Sequence, residues 1–470
     1  MLFNSYSYLF FLPIVLSLYA LIPQKYRWFL LLAASYWFYM SWKVEYIILI
    51  VLSTIIDYIA SIKMDGLLDL TKKRKWLFLS IAVNLGLLGF FKYYNFVNNS
   101  LGNPFAMNNF LLPVGISFYT FQTLSYTIDV YRGRLKPERH VGKFALYVSF
   151  FPQLVAGPIE RAKHLLPQLQ LMSNIRFDNL VSGLQRIVIG LFKKVVIADR
   201  AAVLVDTIFS KPDIFSGPQL LIGTLFFGIQ IYGDFSGYSD IAIGTAKIFG
   251  IDLMENFKRP YLSRSIGEFW SRWHISLSTW FQDYVYIPLG GNRRKPFRVN
   301  INILITFVIS GLWHGADWVF VIWGAYYGAL LIIEKKLKAT FASLYASKKL
   351  WVNFIRWFVT MILVFLGWIF FRANSISDIF IILKNLGTGY NSFNPVIDFQ
   401  GLGLNKTFFI WTGILIMGMG TFHYLDRSNK FYNWLEQYRL IRWSVYLTLI
   451  FTTILMGVSS GESQFIYFQF

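Results

Sequence analysis

His314 stands in the run Ser310-Gly-Leu-Trp-His-Gly-Ala-Asp317, between two apolar stretches that begin and end at basic loops. The two stretches read as a helical hairpin with arms of about 23–26 Å at 1.5 Å per residue. That length puts His314 at or below the far membrane interface. A polar group at such depth must face protein or a wet cavity. Gly311 and Gly315 are expected to let the backbone break there, and Trp313 and Asp317 flank the imidazole as supporting candidates. Packing against a neighbouring helix is the competing role for His314. A second imidazole, His274, lies in Glu268-Phe-Trp-Ser-Arg-Trp-His-Ile-Ser-Leu-Ser-Thr-Trp280. On one continuous helix Trp270, Trp273, Leu277 and Trp280 would share an aromatic face, with Ser271, His274, Ser278 and Asp283 toward a more polar one. A histidine at the polar edge of an interfacial helix remains the alternative.

A third cluster, Tyr232-Gly-Asp-Phe-Ser-Gly-Tyr-Ser-Asp240, places two aspartates and two serines after an apolar run with no basic residue beside them. Gly233 and Gly237 make an unwound stretch plausible, and Asp234 or Asp240 could orient an imidazole. Capping of broken helix ends is the simpler role. His140 and His164 fall in basic, polar stretches and read as solvated loop residues, and His423 reads as an interfacial histidine. No HExxH spacing, GxSxG elbow or phosphate-binding glycine loop is present, and the chain has no cysteine. The pattern therefore suits no metal site and no thiolate nucleophile. Buried imidazoles with carboxylates nearby suit general acid–base chemistry, because neutral imidazole is a competent base near pH 7.

The elements that must carry these groups are membrane helices. The 470 residues are 56% hydrophobic and only 14% charged. Soluble domains carry roughly 25% charged residues. Intrinsic disorder is excluded by the same composition. Candidate spans are Tyr8–Ile22, Trp28–Trp42, Val44–Ser61, Trp76–Val97, Phe110–Val130, Gln219–Tyr232, Val299–Trp313, Trp318–Ile333, Trp351–Phe371, Thr407–Leu425 and Trp443–Ser459. The first run lacks a charged segment before it and reads as a retained span rather than a cleavable signal peptide. Between Val141 and Gly291 apolar residues mix with charges and proline, and Lys193 and Lys194 interrupt an apolar stretch. Irregular backbone is not tolerated facing lipid, so these pieces are expected to be interfacial or re-entrant. No repeat or linker divides the chain, and residues 1–470 are expected to form one integral membrane domain.

The net charge of +20 falls in short clusters between apolar runs, which points to loops on the cytoplasmic face rather than to nucleic acid. Five basic residues lie in Lys63–Lys75, five in Arg132–Lys143, four in Asn292–Arg298, five in Glu334–Lys349 and four in Asp426–Arg442, against none in Asn98–Asn109. Placing the basic loops inside makes the spans alternate from Tyr8 to Val130 and from Trp351 onward, with both ends of the chain outside the cytoplasm.

The motifs together carry a resemblance. Leu112-Pro-Val-Gly-Ile-Ser-Phe118, Phe151-Pro-Gln-Leu-Val-Ala-Gly-Pro158, Asp234–Asp240, Met254-Glu-Asn-Phe257, Glu268–Trp280, Ser310–Ala316 and Phe465-Ile-Tyr-Phe-Gln-Phe470 follow one another in order. In this the chain resembles the membrane-bound O-acyltransferases, in particular their bacterial polysaccharide branch. The resemblance implies an all-α polytopic fold, a ring of about eleven transmembrane helices with re-entrant or interfacial helices around a thinned centre. It implies His314 as the catalytic histidine and His274 as the second motif position. It implies acyl transfer from a thioester to a hydroxyl. The donor would be cytoplasmic acetyl-CoA, with no metal. The acceptor would be an exopolysaccharide or cell-wall polymer, reached directly or through an extracytoplasmic acetyltransferase partner. The setting would be the bacterial plasma membrane and its lipids. D-alanyl transfer from a carrier protein to teichoic acid, a long-chain lipid acyltransferase, and a non-enzymatic polymer or lipid transporter are the alternatives. The basic loop Asn292–Arg298 offers counter-charges for a nucleotide diphosphate, and serves equally to set topology.

Overall fold

The computed structural model describes residues 1–155, 157–394, 406–425, 434, 437–457 and 465–466. The side chain of His423, most of the basic loop 426–442 and residues 467–470 of the last motif lie outside the described residues. Among the described residues there is no strand. Among the described residues seven helices are long and apolar enough to cross a membrane: Val44–Met64, Leu70–Ser100, Gly217–Ile248, Pro296–His314, Trp318–Thr340, Leu350–Arg372 and Arg439–Met456. The other four expected spans are helical too. Three are short, Tyr6–Leu21, Arg27–Met40 and Ile116–Tyr131, with 16, 14 and 16 residues. The fourth is Lys406–Leu425. Helices dominate for a simple reason: in lipid every backbone N–H and C=O must be satisfied within its own segment.

Two expectations for the chain path change. The span expected from Phe110 starts instead at Ile116, because Gly115 takes a left-handed backbone, φ 75°, just after Pro113. The span expected over Gln219–Tyr232 is the front of a continuous 32-residue helix, Gly217–Ile248. The chain forms two compact units. Met1–Ile187 with Tyr238–Glu255 make the first, and Val188–Gly237 with Asn256–Phe470 the second. The long helix contributes to both.

In the first unit the helices Ile47–Met64, Leu70–Leu88 and Ile116–Tyr131 share a polar interior. Asp57 is fully buried there. Ser80 Oγ donates to its carboxylate at 2.5 Å, and Asn84 Nδ2 donates to both oxygens at 3.0 Å. Ser53 Oγ in turn donates to Asn84 Oδ1 at 2.6 Å. A carboxylate this deep persists only because donors surround it.

In the second unit Pro296–His314 and Trp318–Thr340 form the hairpin expected from the sequence. Its helices meet backbone to backbone. A Cβ on Gly311 would collide with the Phe320 carbonyl, and one on Gly324 with the Phe307 carbonyl. Gly311 is thus a contact point inside an intact helix, not the break expected there. The turn comes at Gly315, whose extended backbone ends the first helix directly after His314. Asp317 starts the second helix by accepting the Val319 N–H at 2.9 Å.

Replacing Asn84 by Leu removes two of the hydrogen bonds that Asp57 accepts. Leaving a buried acceptor without its donor costs about 1–3 kcal/mol, so Asn84→Leu should lower the melting temperature of the detergent-solubilised protein by several degrees. The double variant Asp57→Leu/Asn84→Leu should recover part of the loss, because both polar partners are then gone. Unchanged melting of the single variant would contradict this account.

Candidate functional site: two buried imidazoles

His274 does not lie on one continuous helix. The helix Ile266–Arg272 ends before it and Ile275–Phe281 begins after it. His274 itself has φ 43° and ψ 56°. For a non-glycine residue this left-handed conformation costs roughly 1–2 kcal/mol, so neighbouring structure must hold it. Asn256 does so. Its carbonyl accepts the Ile275 N–H at 3.0 Å, and its Oδ1 accepts Ser276 Oγ at 2.7 Å and the Ser276 N–H at 3.3 Å. On the other side of the break the Lys258 N–H donates to the Arg272 carbonyl at 2.9 Å. The motif Met254–Phe257 and the motif Glu268–Trp280 are therefore one structural device. The expected polar edge is also absent: His274 is only 1% exposed.

The bend aims His274 at the hairpin histidine. The two ring centres lie 6.5 Å apart, and His274 sits 5.9 Å from the Trp313 ring. Both imidazoles are buried, His314 at 3% exposure. His314 is walled by rings at steep angles: Trp323 at 5.0 Å, Trp313 at 5.1 Å and Phe371 at 5.3 Å. Phe235 packs edge-on against His274 at 4.5 Å. Such edge-to-face packing fixes a ring's position.

The helix that precedes His274, Ile266–Arg272, is bolted to the hairpin. The Glu334 carboxylate accepts the Ile266 N–H at 2.5 Å and the Gly267 N–H at 3.3 Å. Trp270 packs edge-on to Tyr327 and Trp323, with ring centres 4.9 and 5.5 Å apart. Glu334 was legible only as a charge in a basic loop. A carboxylate at the tail of an apolar run is the signal that could have found it.

The aspartates of the third cluster have basic partners after all. Asp234 lies 2.7 Å from Lys194 Nζ, which also sits 2.8 Å from Asp199. Asp240 lies 2.9 Å from Arg186, whose guanidinium also holds Glu255 at 2.6 Å. Gly233 and Gly237 do not unwind the helix. They let it approach the neighbouring chain: a Cβ on Gly237 would stand 2.7 Å from the Gly190 carbonyl. Trp313 is buried beside both imidazoles, whereas Asp317 acts as the helix cap described above. Of the remaining histidines, His140 is exposed and caps a helix through the Lys143 N–H. His164 is no free loop residue: Nδ1 lies 2.8 Å from the buried Glu160 carboxylate, which raises its pKa. Among the described residues no group of three or more His, Asp and Glu is placed to hold a metal ion.

A match over residues 139–376 to the model of the membrane-bound O-acyltransferases covers the two histidines, the aspartates and Asn256. The chain belongs to the membrane-bound O-acyltransferase family. It is an O-acyltransferase and a multi-pass, all-helical membrane protein. A "probable alginate O-acetylase" from Azotobacter vinelandii is 43% identical across 80% of this chain and 76% of its own length. A peptidoglycan O-acetyltransferase from Helicobacter pylori is 36% identical across 82% of this chain and 80% of its own. A teichoic acid D-alanyltransferase from Streptococcus thermophilus is 32% identical across 51% of this chain and 60% of its own.

Burial pushes the His274 imidazole down from 6.5 to about 3. Its neutral form is what the fold accommodates. The unfolded chain binds a proton near 6.5 and the folded chain does not, so this group's stability contribution is present above pH 6.5 and is lost as pH falls toward 3. His274→Gln should flatten the fall in melting temperature over that window relative to the parent. Identical pH profiles for the two proteins would contradict the burial account.

Proposed function

We propose that this acyltransferase moves an acetyl group from a cytoplasmic thioester, acetyl-CoA, across the bacterial plasma membrane to hydroxyls of an extracytoplasmic polysaccharide. Transfer runs to the polymer directly or through an extracytoplasmic acetyltransferase partner, and both routes leave the roles below unchanged. The observation that carries the reading is the pair of buried imidazoles with ring centres 6.5 Å apart. At that separation one ring cannot hydrogen-bond the other directly. A hydroxyl seated between them could meet both. Similarity to polysaccharide and peptidoglycan O-acetyltransferases over four-fifths of the chain supports acetyl as the group transferred.

In this reading His314 takes the proton of the acceptor hydroxyl as its oxygen attacks the thioester carbonyl. A carbon–oxygen bond forms, the carbon–sulfur bond breaks, and the same imidazole returns the proton to the leaving thiolate. His274, fixed neutral by burial, orients the hydroxyl. Its left-handed backbone is the strain that such a role would justify. Trp313 packs beside both rings. Asp234 and Asp240 support the helix that carries Phe235 rather than serving as acid or base. The exposed Arg293, Arg294, Lys295 and Arg298 offer counter-charges to the donor's phosphates.

General base catalysis contributes typically 10²–10⁴-fold. His314→Ala should therefore abolish detectable acetylation of the surface polymer in a complemented deletion strain while its membrane abundance stays at the parental level. Near-normal acetyl content would refute the role of His314. Loss of D-alanine esters from teichoic acid, with acetyl content unchanged, would transfer the reading to D-alanylation.

A further inference from the structure

Lys194 interrupts an apolar stretch of the sequence, and the last motif starts at Phe465; the mechanism above uses neither. The structure brings them to the same place. The backbone from Phe192 to Ala198 is a π-helical segment, and Lys194 within it is 1% exposed. Local π-helix recurs at functional sites because it redirects side chains. Here Lys194 meets Asp199 and Asp234 in a buried ion triad. The second oxygen of Asp234 accepts the Ile466 N–H at 2.7 Å. Phe465 and Ile466 are themselves buried, at 0% and 2% exposure. Upstream, Arg200 donates to the Met456 carbonyl at 2.7 Å, so the chain before and after residues 457–464 is tied to the helices bearing the triad.

The next residue after Asp234 is Phe235, the ring edge-on to His274. Phe465 packs on the same Phe235 ring at 5.6 Å and 62°. The Lys194–Asp234 pair thus fixes the Ile466 backbone, which seats Phe465 against the Phe235 ring that also packs on His274. A buried charge pair is weak evidence for stability and better evidence for a specified geometry. We infer that the Phe465–Ile466 segment, latched by its backbone N–H to Asp234, is a positioning element for His274, and that Lys194, Asp234, Phe235 and Phe465 act through that ring rather than on substrate. This deepens the acetyl-transfer reading and rests on it.

The test is substitution at Ile466. Proline removes the N–H that Asp234 accepts, whereas alanine keeps it. Parent, Ile466→Pro, Ile466→Ala, Phe465→Leu and His314→Ala are compared in the full chain. Membrane abundance and melting temperature are measured beside initial rates of polymer acetylation with acetyl-CoA. A misplacement of about 1 Å can cost on the order of 10²-fold. Ile466→Pro and Phe465→Leu are expected to lose at least about tenfold in kcat per folded molecule with KM for acetyl-CoA unchanged, while Ile466→Ala stays within about twofold of the parent. Parental kcat in Ile466→Pro, or equal losses in Ile466→Pro and Ile466→Ala, would overturn the inference. Should Ile466→Pro fail to accumulate, Phe465→Leu decides by the same kcat criterion. Full activity of His314→Ala would instead sink the transfer reading itself, so the two failures are distinguishable.

Discussion

The left-handed backbone at His274 is the constraint around which the site is organised. A helix that ran straight through this residue would present the imidazole to the polar side of an interfacial helix. The break turns it inward, and the break survives because Asn256 satisfies the N–H groups that the new helix leaves open. A strained residue persists where its surroundings over-determine it. Here the surroundings are the Asn256 bonds, the Glu334 clamp on Ile266 and the Phe235 ring. Each acts on backbone or ring position.

The hairpin solves a complementary problem. His314 must sit deep, yet its helix must end where the ring is needed. Glycines at 311 and 324 bring the two helices into backbone contact, so the turn can be short and the imidazole can stand at its tip. Small residues at helix contacts are the usual route to close packing in lipid, where no hydrophobic force draws helices together. Charges follow the same economy. Asp57, Asp234 and Lys194 are all buried, and each is enclosed by donors or by opposite charge. That enclosure lets a membrane interior hold ionisable groups without exposing them to hydrocarbon.

Much of this was legible in the sequence. The apolar runs bracketed by basic loops gave the hairpin and its histidine, since both signals are local. The family was legible because seven motifs occur in order. What failed were inferences that extended a local pattern across a distant contact. The helical wheel placed His274 on a polar edge because nothing near it in sequence announces that Asn256 will break the helix. Asp234 and Asp240 looked unpartnered because Lys194 and Arg186 reach them from separate helices. Gly233, Gly237 and Gly311 have the local signature of helix breaks, yet each permits close packing within an intact helix. From sequence alone a glycine in an apolar run has both meanings, and only the facing backbone distinguishes them.

The central claim is that acyl transfer takes place between the two imidazoles. It is tested most directly by a density map of the protein with a non-hydrolysable acetyl-CoA analogue bound. The account predicts the acyl carbonyl between His274 and His314, with the position for an attacking hydroxyl oxygen within about 3–3.5 Å of that carbon and in hydrogen-bond reach of His314. An acyl group resting elsewhere, with both rings still sealed behind Trp313, Trp323 and Phe371, would contradict it.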